Sequence, residues 1–139
     1  MRKIALLLMG ATIASCTAYG PPPGQPTPRS NAELAQLLAG KVAGRPISCL
    51  PPYNSNDQRN IDGRTVAFRV GTRMTYLMHL TPGCELLATG NYALVTHQFG
   101  GMGMCQNDIV RVVDVMNRTT VGSCGIESIV PYSATGRAY

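Results

Sequence analysis

The sequence predicts a small, mainly β domain: a small antiparallel curled sheet or barrel of about five or six short strands with one short N-terminal helix, stapled by two disulfides. Three observations lead there. Apolar and polar residues alternate in segments such as Val66-Ala67-Phe68-Arg69-Val70, the period of a half-buried strand. Turn residues (Gly71-Thr72, Pro82-Gly83, Asn117-Arg118) punctuate the chain at short intervals. Finally, Cys49, Cys84, Cys105 and Cys124 are spaced far apart, which suits disulfides better than the close pairs of a zinc site.

The N-terminal residues 1–15 read as an export signal. Arg2 and Lys3 give a positive start, residues 4–11 an apolar run, and Ala14-Ser15 a small-residue cleavage site directly before Cys16. A membrane-spanning helix needs about 20 apolar residues. Here the run is cut by Ser15, Thr17 and Gly20-Pro21-Pro22-Pro23, which cannot continue a helix. The Ile13-Ala14-Ser15-Cys16 segment resembles the lipobox of bacterial lipoproteins. That resemblance implies lipidation of Cys16 with a diacylglyceryl group, often joined by a third chain such as palmitate. Each buried methylene contributes about 0.8 kcal/mol, so two or more chains hold a protein on a bilayer. Thr17 in place of Asp after the cysteine implies the outer membrane, with the domain facing the periplasm. An ordinary signal cleaved near Ala14 or Ala18 would instead give a secreted periplasmic chain.

Residues 16–29 follow as the lipidated cysteine and a Pro/Gly-rich tether, and residues 30–139 as a single globular domain. The prolines favour extended polyproline conformation, which lifts the domain off the membrane. Ser30 and Glu33 are expected to form a capping box, with Leu34, Leu37 and Leu38 on one face of a short helix and Gly40 at its stop. Strands are then predicted at residues 65–70, 74–80, 93–99, 109–115 and 119–124, with an extended piece at Ile47-Ser48-Cys49. Two-residue turns at Gly71-Thr72 and Asn117-Arg118 would set Cys84 opposite Arg59 and Cys124 opposite Arg111. Sequential disulfide pairing is therefore not favoured. Connectivity is not deducible from sequence alone, and the arrangement favoured is Cys49–Cys105 with Cys84–Cys124.

Removing the first 15 of 139 residues leaves ten basic against seven acidic side chains, a net charge near +3. The arginines are scattered, without the dense basic stripe that binds nucleic acid. No Gly-x-Ser-x-Gly elbow occurs. Gly100-Gly101-Met102-Gly103-Met104 lacks the lysine and hydroxyl of a phosphate loop and reads as a flexible hairpin loop. No cofactor, metal site or catalytic residue is assigned. His79 and His97 are the only histidines. With Asp62 or Asp108 either one would make an acid–base pair, although both aspartates read first as turn residues bonding backbone amides.

From residue 40 to 132 the chain resembles a family of small exported proteobacterial proteins of unknown function, met especially among sphingomonads. The resemblance is carried by Gly44-Arg45-Pro46 before Cys49, Ile61-Asp62, Val66-Ala67-Phe68-Arg69, Tyr76, Cys84 and Leu86. It continues through Cys105-x-x-Asp108-x-Val110, Cys124-x-Ile126 and Pro131-Tyr132. It implies export, a cysteine-stapled domain and a Cys49–Cys105 bond. The expected role is a non-enzymatic binding or structural module of the envelope, membrane-attached through its lipid and partnered by an envelope protein or glycan. The alternative is a motif-poor periplasmic enzyme using His79 or His97 with Asp62 or Asp108.

Overall fold

The structure, a computed structural model, describes residues 24–54, 56–96 and 103–134. Expectations about the signal, Cys16, most of the tether, His97 and Gly100-Gly101-Met102 lie outside these residues.

The helix α1 spans Pro28–Leu38, so it starts earlier than the Ser30–Glu33 box expected from sequence. Thr27 is the N-cap: its hydroxyl accepts from the Ser30 amide at 3.1 Å, and the Ser30 hydroxyl accepts from the Thr27 amide at 2.7 Å. Pro28 fits the first helical position, where its fixed φ suits the helix and its missing N–H costs nothing. Pro28 and Arg29, read as tether, therefore belong to the helix.

Nine strands follow among the described residues: β1 Val42–Ala43, β2 Cys49–Leu50, β3 Gln58–Asn60, β4 Thr65–Val70, β5 Met74–Leu80, β6 Tyr92–Thr96, β7 Met104–Cys105, β8 Ile109–Asp114 and β9 Thr120–Ser133. Short 3-10 turns occupy Pro52–Asn54 and Glu85–Thr89. The main sheet is antiparallel in the order β3-β4-β5-β9-β8-β6, with β1 also on β9, and curls into a half-barrel. The β2 and β7 segments form a separate pair.

The 14-residue β9 is the seam of the sheet. Its residues 126–133 pair with β5, and residues 120–125 pair with β8. It runs well past Cys124, where the strand predicted at residues 119–124 ends. Pro131 is tolerated because its carbonyl, and hence its ring nitrogen, faces the edge toward β1, where the Gly44 amide donates to its oxygen at 2.7 Å and little ladder remains to disrupt. Register shifts opposite Val112/Val113 and His79/Leu80 make Val121 and Glu127 extra residues in β9. Such bulges bend and twist a strand, which suits a sheet that curls.

The turns differ from expectation. β4 and β5 are joined by three residues, 71–73, with Val70 opposite Met74 and Gly71 at φ +60°. β8 and β9 are joined by five, 115–119, with the Asp114 amide donating to the Thr119 carbonyl at 2.9 Å. Arg118 takes the left-handed position there, at φ 56°. With the bulge, Cys124 consequently faces Val110 and not Arg111.

One face of the sheet closes over Phe68, Met78, Leu80, Val110, Val112, Ile126 and Ile129, joined by Leu50 and Leu87 from the connecting segments. The opposite face of β4 and β5 carries Ala67 and Leu77, which with Ile61 lie under Leu34, Leu37 and Leu38 of α1. Covered on both sides, β5 loses the alternation of a half-buried strand: Thr75, Tyr76, Leu77 and Met78 are all buried. Cys49–Cys105 links β2 to β7, and Cys84–Cys124 pins the start of the second 3-10 turn to β9. Both bonds are those favoured from sequence.

Candidate binding cleft

Thr65 of β4, His79 of β5 and Ser128 of β9 are direct cross-strand neighbours and form one polar row. Side chains two residues apart share a face of a strand. The row therefore continues the face of Ala67 and Leu77, which lie under the leucines of α1. Over this row lies a cleft of about 370 Å³, lined by Thr65, His79, Leu80 and Ser128, by Asp62 and Arg64 from the β3–β4 turn, by Glu127, and by Gly24 and Pro26.

Each charged group is positioned by local backbone. The Asp62 Oδ1 accepts from the Arg64 amide at 2.7 Å, the Asx geometry that favours aspartate in a tight turn. Asp62 is only 5 % exposed, and no group among the described residues donates to its other oxygen. Arg64 donates through Nε to the Leu80 carbonyl at 3.2 Å, and its guanidinium lies 3.8 Å from the Glu127 carboxylate. Glu127 is the bulged residue of β9, and bulges commonly re-aim side chains at sites. Next to this group, the Glu85 carboxylate accepts the Gly83 amide at 2.9 Å. That bond chiefly holds its carboxyl below the usual range, with attraction to Arg64 adding to it.

The chain entering the helix is itself part of the cleft wall. A Cβ on Gly63 would lie 2.7 Å from the Gly24 Cα and 2.6 Å from the Glu85 Cα. Three backbone segments thus meet where only glycine fits.

Of the sequence candidates, His79 and Asp62 line this one cleft, and no hydrogen bond joins them. Asp108 is elsewhere: its Oδ2 accepts the Cys105 amide at 2.8 Å and caps that turn. Arg64, Thr65, Glu127 and Ser128 were not found from sequence. Their association depends on the β5–β9 register, and that part of β9 was not recognised as strand. No group of three or more His, Cys, Asp or Glu side chains suited to a metal occurs among the described residues. A second concavity of about 440 Å³, lined by Ile47, Cys49, Pro51, Met74, Tyr76 and Pro131, carries no charged side chain.

Comparison with known proteins matches no family model, no curated protein and no solved structure.

Proposed function

We propose that this chain is an envelope lipoprotein, held in the outer membrane by acyl chains on Cys16 and facing the periplasm, whose stapled β domain binds an envelope component in the cleft at His79. One observation carries the reading: Asp62, Arg64, His79 and Glu127 converge on a single cleft beside the point where the tether joins the domain. A concave site with a few convergent polar groups is the usual form of a ligand site. The lipobox-like segment, the two disulfides and the resemblance to small exported proteins support the destination, since such bonds persist in oxidising compartments.

Metabolic labelling with a palmitate analogue tests the anchor. Incorporation and partition into detergent phase are expected for the full chain, and both are lost on Cys16→Ser. An unlabelled full-length chain that retains its initiator methionine in cytosol overturns the anchor. Crosslinking in intact membranes tests the binding role, with a captured component expected for the native chain and reduced for Glu127→Gln. Equal recovery of every component with both chains overturns the cleft as the binding site.

The shared cleft also favours a second reading, an enzyme with His79 as general base, next to the hydroxyls of Thr65 and Ser128 and in the same cleft as Asp62. Turnover of chromogenic ester or glycoside probes that disappears in His79→Ala would establish it.

A further inference from the structure

We infer that the cleft recognises a zwitterion of the phosphoethanolamine type, a primary ammonium joined by a short linker to a phosphate ester, presented by the membrane to which the chain is anchored. The inference rests on the anchored reading above and names the ligand of the same site.

The charge pattern selects a zwitterion. The cleft holds two carboxylates, Asp62 and Glu127, and on the same walls a guanidinium, an imidazole and two hydroxyls. An anion alone would set its charge beside the Asp62 and Glu127 carboxylates, and like charges in one cleft repel. A cation alone would set its charge beside the Arg64 guanidinium and leave the Thr65 and Ser128 hydroxyls unused.

The donors select a phosphate ester for the anionic end. They come from four places in the fold: Arg64 from a turn, Thr65 from β4, His79 from β5 and Ser128 from β9. Several donors converging from different directions suit a tetrahedral group with several oxygens better than a flat carboxylate. For the cationic end, carboxylate acceptors require N–H donors, which a primary ammonium has and a quaternary one lacks. Quaternary ammonium groups are recognised by cages of Trp, Tyr and Phe, and none of these lines the cleft among the described residues.

Reach selects the source. Gly24 is seated against Gly63 and Glu85, and eight peptide steps separate it from a lipidated Cys16. Fully extended, those steps cover about 28 Å. Gly24 and Pro26 are themselves in the cleft wall, so the site lies at the leashed pole of the domain, within reach of headgroups.

Carbethoxylation of His79, read by mass spectrometry on the full-length lipoprotein in detergent and in vesicles, tests the inference. Soluble O-phosphoethanolamine at about ten times its dissociation constant should slow modification about tenfold. Phosphocholine, ethanolamine and inorganic phosphate should give little protection. Vesicles of phosphatidylethanolamine and phosphatidylglycerol should protect, whereas phosphatidylcholine with phosphatidylglycerol should not. Protection should be lost in Asp62→Asn, which keeps the oxygen that caps the Arg64 amide, and in the surface variant Glu127→Gln. Equal protection by phosphocholine, or none by any compound, overturns the zwitterion. Protection by the soluble compound but not by the bilayer overturns the membrane source. An anchored, palmitoylated chain without protection sinks the ligand alone, and a protected but unlipidated chain sinks the anchor alone.

Discussion

Cys49 stands directly opposite Cys105 in the antiparallel β2–β7 pair, and both are only partly buried, whereas Cys84 is wholly buried in its bond to Cys124. Thiol–disulfide exchange requires access to sulfur. Dithiothreitol under native conditions should therefore open Cys49–Cys105 first. Timed alkylation followed by peptide mass analysis gives the order, and early labelling of Cys84 would contradict it. Replacing Cys84 and Cys124 by alanine removes a bond that closes 40 residues of chain. The chain-entropy relation puts that loss at about 4 kcal/mol.

Gly63→Ala would drive a methyl group to 2.6–2.8 Å from backbone atoms of Gly24 and Glu85. Backbone cannot rotate away as a flexible side chain does, and overpacking of this kind costs about 1–3 kcal/mol. The urea midpoint should fall. An unchanged midpoint would show that the three segments do not meet as described.

Acid should weaken the fold through three carboxylates. The Asn117 and Met116 amides hold Asp114 below the ordinary aspartate range, the Arg69 hydrogen bond, with help from Arg59, does so for Asp57, and the Gly83 amide for Glu85. A depressed folded value means that the stabilisation is complete above the unfolded value, roughly pH 4, and is lost as pH falls through the folded value. Asp114→Ala should therefore unfold more easily than the native chain at neutral pH, and the difference should shrink well below pH 4. Urea titrations at the two pH values check this; a gap that persists undiminished in acid would rule the carboxylate out as its cause.

Leu77 lies under α1 on the face of β5 opposite Met78, and is 2 % exposed. Leu77→Ala should cost about 2–5 kcal/mol, as buried leucines do. Val95, on β6, is 39 % exposed, and Val95→Ala should stay within about 0.5 kcal/mol. Thermal melts of the two variants separate these outcomes, and a near-neutral Leu77→Ala would mean that the helix is not packed there.

Alternation made β4, β5 and β8 legible almost to the residue, because their inner faces carry Val66, Phe68, Met78, Leu80, Val110 and Val112 against one core. It failed where other forces decide. The strand β3, Gln58-Arg59-Asn60, has no apolar face to betray it and is held as an edge on β4. The helix starts earlier because Pro28 is pre-set for the first helical position behind Thr27, although Ser30 followed by Glu33 offers a second capping pattern. For the cleft, His79 and Asp62 were visible as residue types, but their partners required a register created by a bulge. A bulge adds one residue without any change in composition, so Glu127 left no local mark in the sequence.

Among the described residues, the strand that comes last in the chain is also the one that joins β5 to β8. Until residue 133 is available, the two halves of the sheet have no common edge, and Cys84 has no partner held near it. Contacts between distant parts of a chain form slowly. A growing polypeptide of this design keeps an open, unjoined sheet until its ninth strand is complete, and only then does the Cys84–Cys124 bond have both of its thiols in place.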